Sequence, residues 1–246
     1  MSRVLAYLFL GSVCSGKTTT IRRLDNILRL KGFNTVSIEV NINHGLAYLV
    51  TRFIATSSRY RYIGNYYLTL RFNNPSLFCK YLPLMMLLDA LFIPLKYVTI
   101  LLRKALSSLR GRGVVILIDE YYPNAIVDYE YFVNELCRKK NSLAGVVQNL
   151  FYRVAMSHTV MTLRKFKPVL VVLIVSNPLV TMKLWRNRER SGIFDYAHFL
   201  YRTAGSIVLA NDLRKYTRVV FFRVNDPRKD GTKILTSLIR DIVINK

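Results

Sequence analysis

The stretch that decides the fold is Gly11-Ser12-Val13-Cys14-Ser15-Gly16-Lys17-Thr18, a full match to Gly-x-x-x-x-Gly-Lys-[Ser/Thr]. Its flanks are those the motif requires. Residues 4–10 form a short apolar run that reads as a buried strand. Residues 16–30 place Ile21, Leu24, Ile27 and Leu28 at helical spacing, and Lys31-Gly32 closes that helix. The residue types follow from the chemistry. The glycines let the backbone turn so that successive N–H groups point inward and cradle an anion. The helix start adds its partial positive charge. Gly11 through Thr18, with Thr19 beside them, are therefore the expected triphosphate-binding residues. Lys17 is expected to bridge the β- and γ-phosphates, and the Thr18 hydroxyl to ligate Mg²⁺.

Working outward, residues 35–40, 114–118, 169–176 and 218–224 are further strands, and most are apolar on both faces. Between them lie helices over 179–190, 196–213 and 231–244, with 131–163 read as helices broken near 141–145. Alternating strands and helices predict an α/β fold: a three-layer parallel sheet of about five strands, helices on both sides. Asp119 ends the run Val114-Val115-Ile116-Leu117-Ile118. A carboxylate at the carboxyl end of a buried strand lies in the crevice where such sheets bind ligands, so Asp119 is the second expected Mg²⁺ ligand.

The chain has 246 residues and is 52% hydrophobic and 21% charged, which excludes intrinsic disorder. Thirty-seven basic against 14 acidic side chains leave a net charge of +23, which predicts attraction to a polyanion: nucleotide, nucleic acid or anionic membrane. Cys14, Cys79 and Cys137 have unrelated spacings. That pattern argues against a disulfide framework and for a reducing, cytoplasmic compartment. The apolar N-terminal run flows directly into the glycine motif and is read as the first strand, not as a secretory signal. The histidines at 44, 158 and 198 have no ligand spacing.

Residues 44–112 differ from the rest and read as a basic, aromatic, largely helical insertion within a single domain spanning 1–246. Ten bases lie between Glu39 and Asp119: Arg52, Arg59, Arg61, Arg71, Lys80, Lys96, Arg103, Lys104, Arg110 and Arg112. The one acid among them is Asp89. Over 46–81 these bases alternate with tyrosines and phenylalanines. Such a mixture suits base stacking, an anionic membrane surface, or a helical subdomain with an aromatic core. Residues 82–102 predict a helix that opens at Pro83, is kinked at Pro94 and is buried nearly all round. Leu84, Leu88, Leu91, Leu95, Val98 and Leu102 form a seam for a partner helix or a homodimer. Asp89, Lys96 and Pro94 argue against a membrane span.

The order of elements resembles the thymidylate kinase and nucleotide-kinase family. A strand at 169–176 leads into Asn177-Pro178, then a helix bearing Arg186, Arg188 and Arg190, then the helix and strand at 196–213 and 218–224. The resemblance implies ATP or GTP as donor, Mg²⁺, and a lid whose arginines close over the phosphates. Arg186 and Arg190 share a helix face there, while Arg188 points away. The family's Asp-Arg-Tyr is replaced by Asp119-Glu120-Tyr121, and its turn after the second strand by residues 40–45. Glu39 sits where the related deoxynucleoside kinases keep a carboxylate base.

Lys17, Asp119, Glu120, Arg186 and Arg190 are thus the expected catalytic residues, and phosphoryl transfer to a small acceptor is the first functional reading. A glutamate directly after the metal-binding aspartate also suits an ATPase associated with nucleic acid. A nucleotide-binding adaptor for a membrane or a partner is the third reading. No Asn-Lys-x-Asp follows an apolar strand, which counts against a GTPase.

Overall fold

Runs of mainly apolar residues assemble into one five-stranded parallel sheet, because strands apolar on both faces can be buried only between two helical layers. A computed structural model describes residues 4–39, 45–63, 65–108, 114–119, 122–137, 142–189 and 194–244. The strands are β1 (Val4–Gly11), β2 (Asn34–Glu39), β3 (Val114–Asp119), β4 (Val169–Val175) and β5 (Val219–Val224), in the spatial order β2-β3-β1-β4-β5. The fold class is the expected one. Alternation along β1 shows why both faces need cover: Ala6, Leu8 and Leu10 enter one hydrophobic cluster, Tyr7 and Phe9 the other. One face is closed by α1 (Lys17–Leu30) and α9 (Pro227–Ile244). The other is closed by α5 (Tyr122–Tyr131), α6 (Ser142–Phe166) and most of α8 (Tyr196–Leu213). α7 (Pro178–Glu189) follows β4. β5 is an edge strand and only half-buried: Val219 and Phe221 pack on one cluster, Phe222 and Val224 on the other, and Arg223 is exposed.

The 45–108 block is helical: α2 (Leu46–Ser57), α3 (Tyr66–Asn73) and α4 (Pro75–Ser108). Its buried residues, among them Ile54, Leu70, Phe78 and Met85, belong to the same cluster as β1 and β3. Two expectations about α4 are corrected. The helix starts at Pro75, not near Pro83, because Asn74 accepts a hydrogen bond from the Leu77 N–H at 2.9 Å and Pro75 occupies the first helical position. Pro83 therefore lies inside the helix. Nor is α4 buried all round. Phe78, Cys79, Leu82, Met85 and Met86 are fully buried, but Leu84, Leu87, Leu91, Leu95, Val98, Leu102 and Leu106 are exposed.

The reading of the cysteines also changes. Cys79 of α4 and Cys137, which ends a π-helical turn at Phe132–Leu136, form a disulfide across 58 residues of sequence. Spacing could not show this pair, since only the packing of α4 against that turn brings the two together. Both cysteines are fully buried, which shields the bridge from thiols once it has formed. Closing a loop of that length restricts the unfolded chain. We expect the double substitution Cys79→Ala with Cys137→Ala to cost about 2–4 kcal/mol. Urea denaturation of the two proteins without reductant checks this, and coincident midpoints would show that the bridge adds nothing.

Candidate nucleotide site

β1 delivers the chain to the glycine motif at the carboxyl edge of the sheet. Gly11 has φ 127°, and a Cβ there would sit 2.0 Å from the Leu173 carbonyl oxygen of β4, so only glycine fits. The loop is moored to its neighbours. The Ser12 N–H donates to the Leu173 carbonyl at 3.1 Å, and the Ser12 and Thr203 hydroxyls share a 2.9 Å bond with α8. Cys14 adopts φ 55°, a left-handed conformation that side chains seldom take, and such strain gathers at binding loops. Gly16, also left-handed, is the N-cap of α1 and brings no side chain to its first turn. The opening N–H groups of α1 therefore face the loop, the arrangement that receives an anion.

Lys17 is only 4% exposed, although it opens a helix. Its ammonium lies inside the loop and donates to the carbonyls of Ser12 at 2.7 Å and Gly11 at 3.2 Å. The Thr18 hydroxyl donates to Asp119 Oδ2 at 2.6 Å, a contact made because β3 lies beside β1 and ends with Asp119 opposite Phe9, just below the loop. The two groups supply hard oxygens, one of them a buried carboxylate, which is the donor chemistry Mg²⁺ takes in company with phosphate oxygens. Among the described residues no group of three or more His, Cys, Asp or Glu side chains could hold a metal unaided. Glu39, which ends β2, is register partner to Asp119, so both carboxylates leave the sheet on the same face. Glu39 is exposed where Asp119 is buried.

Of the remaining expected residues, Arg186 is exposed on α7. Glu120, Tyr121, Arg190 and residues 40–44 lie outside the described residues, as does the side chain of Arg188.

A second group of residues stands beside the loop, and it was not foreseen. Val13 of the loop, Arg71 and Phe72 of α3, Trp185 of α7, and Phe194 with Asp195 line a pocket together with His198 of α8. Arg71, one of the bases of the 46–81 segment, is only 4% exposed. Its guanidinium stacks within 5.0–5.5 Å of the Phe72, Tyr131 and Phe132 rings and pairs with Asp195. Asp195 also caps α8 through the His198 N–H at 2.9 Å and accepts from the Tyr131 hydroxyl at 3.2 Å. One layer further in, Asp128 accepts from Arg202 at 3.1 Å and faces His198 Nε2 at 2.8 Å. Burial lowers the His198 pKa in spite of that carboxylate. Buried charges in such a chain hold only as a mutually paired set.

The basic aromatic segment 46–81 is thus divided. Arg71, Tyr67 and Phe78 face inward, while Arg52, Phe53, Arg59, Arg61, Tyr62 and Lys80 are exposed. The only sequence signal for Arg71 was a charge set in an apolar helix, Tyr-Tyr-Leu-Thr-Leu-Arg-Phe.

No family model and no curated protein matches the chain. Among solved structures it is similar to the thymidylate kinase of Ehrlichia chaffeensis, with a TM-score of 0.49 and 15% identity, over 96% of this chain and 98% of that one.

Proposed function

We propose that this protein is a phosphotransferase that binds ATP in the loop of residues 11–19 and passes the γ-phosphate to a small acceptor held in the pocket beside Val13. The observation that carries this reading is the 2.6 Å contact between the Thr18 hydroxyl and Asp119, next to the inward-pointing Lys17 ammonium. A phosphate cradle, a metal-binding oxygen pair and a cation meet there at one edge of the sheet. Mg²⁺ held by Thr18 and Asp119 would neutralise charge on the triphosphate. An acceptor oxygen attacks the γ-phosphorus, the bond to the β,γ-bridging oxygen breaks, and ADP leaves with the electron pair. Lys17 stabilises the charge that spreads over the transferred group, with Arg186 and Arg190 closing from the lid. For a hydroxyl acceptor, Glu39 is the base, since it leaves the sheet beside Asp119.

The pocket is small, about 40 Å³, so it takes one part of an acceptor and not a whole nucleoside. Phe72, Trp185 and Phe194 give it an apolar, aromatic lining, while the Arg71 charge is already matched by Asp195. The chain is taken as one domain working in the cytoplasm.

γ-Labelled ATP incubated with nucleosides, nucleoside monophosphates and single-stranded nucleic acid tests this. Label is expected on one small acceptor and absent from nucleic acid. Three variants separate transferase from hydrolase. Arg186→Ala and Arg190→Ala should each cut transfer, while Glu120→Gln should change it little, because water activation has no place in a transferase. Free phosphate as the sole product, lost in Glu120→Gln and indifferent to both arginines, would instead establish the ATPase that the Asp119-Glu120 pair also suits.

A further inference from the structure

The outer face of α4 is a continuous aliphatic stripe. Leu84, Leu87, Leu91, Leu95, Val98, Leu102 and Leu106 are between 38% and 66% exposed, and Lys80 is exposed at the stripe's N-terminal end. At 100° per residue all seven fall within an arc of about 100°, opposite the buried face of Phe78, Leu82, Met85 and Asp89. At 1.5 Å per residue they run for about 33 Å. The largest apolar patch on a protein surface is often functional. Over residues 75–96 the mean hydropathy is 1.7, enough for a span by composition, yet 41% of that stretch is buried against the rest of the protein. The inner half of α4 is core, so the helix is placed to lie on an apolar phase and not to cross it.

We propose that this face docks the protein on an anionic lipid bilayer, with α4 lying in the plane of the interface. Charge is the first reason. Over residues 45–108 the single acid is Asp89, which is 7% exposed and accepts the Tyr129 hydroxyl at 2.5 Å. Arg52, Arg59, Arg61 and Lys80 are exposed on the same block, so it presents cations to water and no carboxylate. An aliphatic helix face on a cationic body is what an anionic interface retains. A second copy fits less well. Two molecules of net charge +23 repel. A stripe about 33 Å long and about 10 Å wide also covers roughly 330 Å², well short of the ~800 Å² per partner of a standard interface. Nucleic acid fits less well too, because its bases stack on aromatic rings and this face is leucine and valine.

The test is flotation of the full-length protein with vesicles of phosphatidylglycerol and phosphatidylcholine, and with vesicles of phosphatidylcholine alone. The protein is expected to float with the first and not the second, and to be released as salt rises. The combined change Leu91→Gln, Leu95→Gln and Val98→Gln, made at exposed positions, is expected to lower the bound fraction about tenfold or more while leaving the melting temperature in place. Should that variant fold poorly, the comparison of anionic with neutral vesicles on the unaltered protein still decides. Failure of the unaltered protein to float overturns the proposal, and so does equal flotation on neutral lipid or full flotation of a folded variant. A dimer, or retention of single-stranded nucleic acid, that is lost in the variant while neither protein binds vesicles overturns it in favour of that partner.

Discussion

Lys17→Ala is expected to remove turnover and most triphosphate affinity from an otherwise folded protein. The ammonium is held inside the loop by the Ser12 and Gly11 carbonyls, so its charge is fixed where the proposed reading puts the β- and γ-phosphates. A charge-assisted hydrogen bond contributes about 1.5–3 kcal/mol, which corresponds to roughly ten- to a hundred-fold in affinity. In the transition state the loss is larger, because charge spreads over the transferred oxygens. One missing donor of that kind costs about 10²–10³ in rate. The fold should survive, since Gly11, Ser12 and Gly16 shape the loop through backbone bonds to β4 and α1 that do not involve the lysine. Equilibrium dialysis with ATP, a turnover assay and a melting curve on the same preparation check the three parts. Undiminished affinity and turnover in Lys17→Ala would remove the basis for reading residues 11–19 as a phosphate cradle.

The half of the site that was legible in the sequence is the half built from neighbours in sequence. Gly11 through Thr18 carry their chemistry in order, and the apolar runs around them declare a strand before and a helix after. Asp119 was legible because it ends a run with no polar residue in it. The contacts that escaped are long-range. Arg71 meets Asp195 across 124 residues, and Cys79 meets Cys137 across 58. Neither partner announces the other, because a buried ion pair and a disulfide need only two side chains at the right place in space. α4 escaped for a different reason. Periodicity reports burial through contrast between faces, and a helix that is apolar on every side has no contrast to read. Leu84, Leu91, Leu95, Val98 and Leu102 do share one seam, with Leu88 half-buried beside it, but that seam faces away from the core.

Asp119→Asn is expected to abolish Mg²⁺-dependent turnover, by about a hundredfold or more, while leaving the protein folded. The two halves of this expectation have separate causes. Asn keeps the shape of Asp and keeps an oxygen that can accept the Thr18 hydroxyl, so the 2.6 Å link between α1 and β3 can persist. Asp119 is only 3% exposed, and exchanging a buried charge for a hydrogen-bonded amide of equal size need not lower stability. The amide carries no negative charge, however, and a divalent ion that draws only one hydroxyl and one carboxylate from the protein depends on that charge. Asn should therefore move Mg²⁺ activation to higher concentration as well as lower its ceiling. The measurement is turnover against Mg²⁺ for Asp119→Asn and for Thr18→Val, which keeps the carboxylate and loses the hydroxyl. A milder rightward shift is expected in Thr18→Val, because the hydroxyl contributes a neutral donor atom and the carboxylate a charge. If Asp119→Asn retains wild-type activity and the same Mg²⁺ midpoint, the aspartate serves only to tie α1 to the sheet through Thr18.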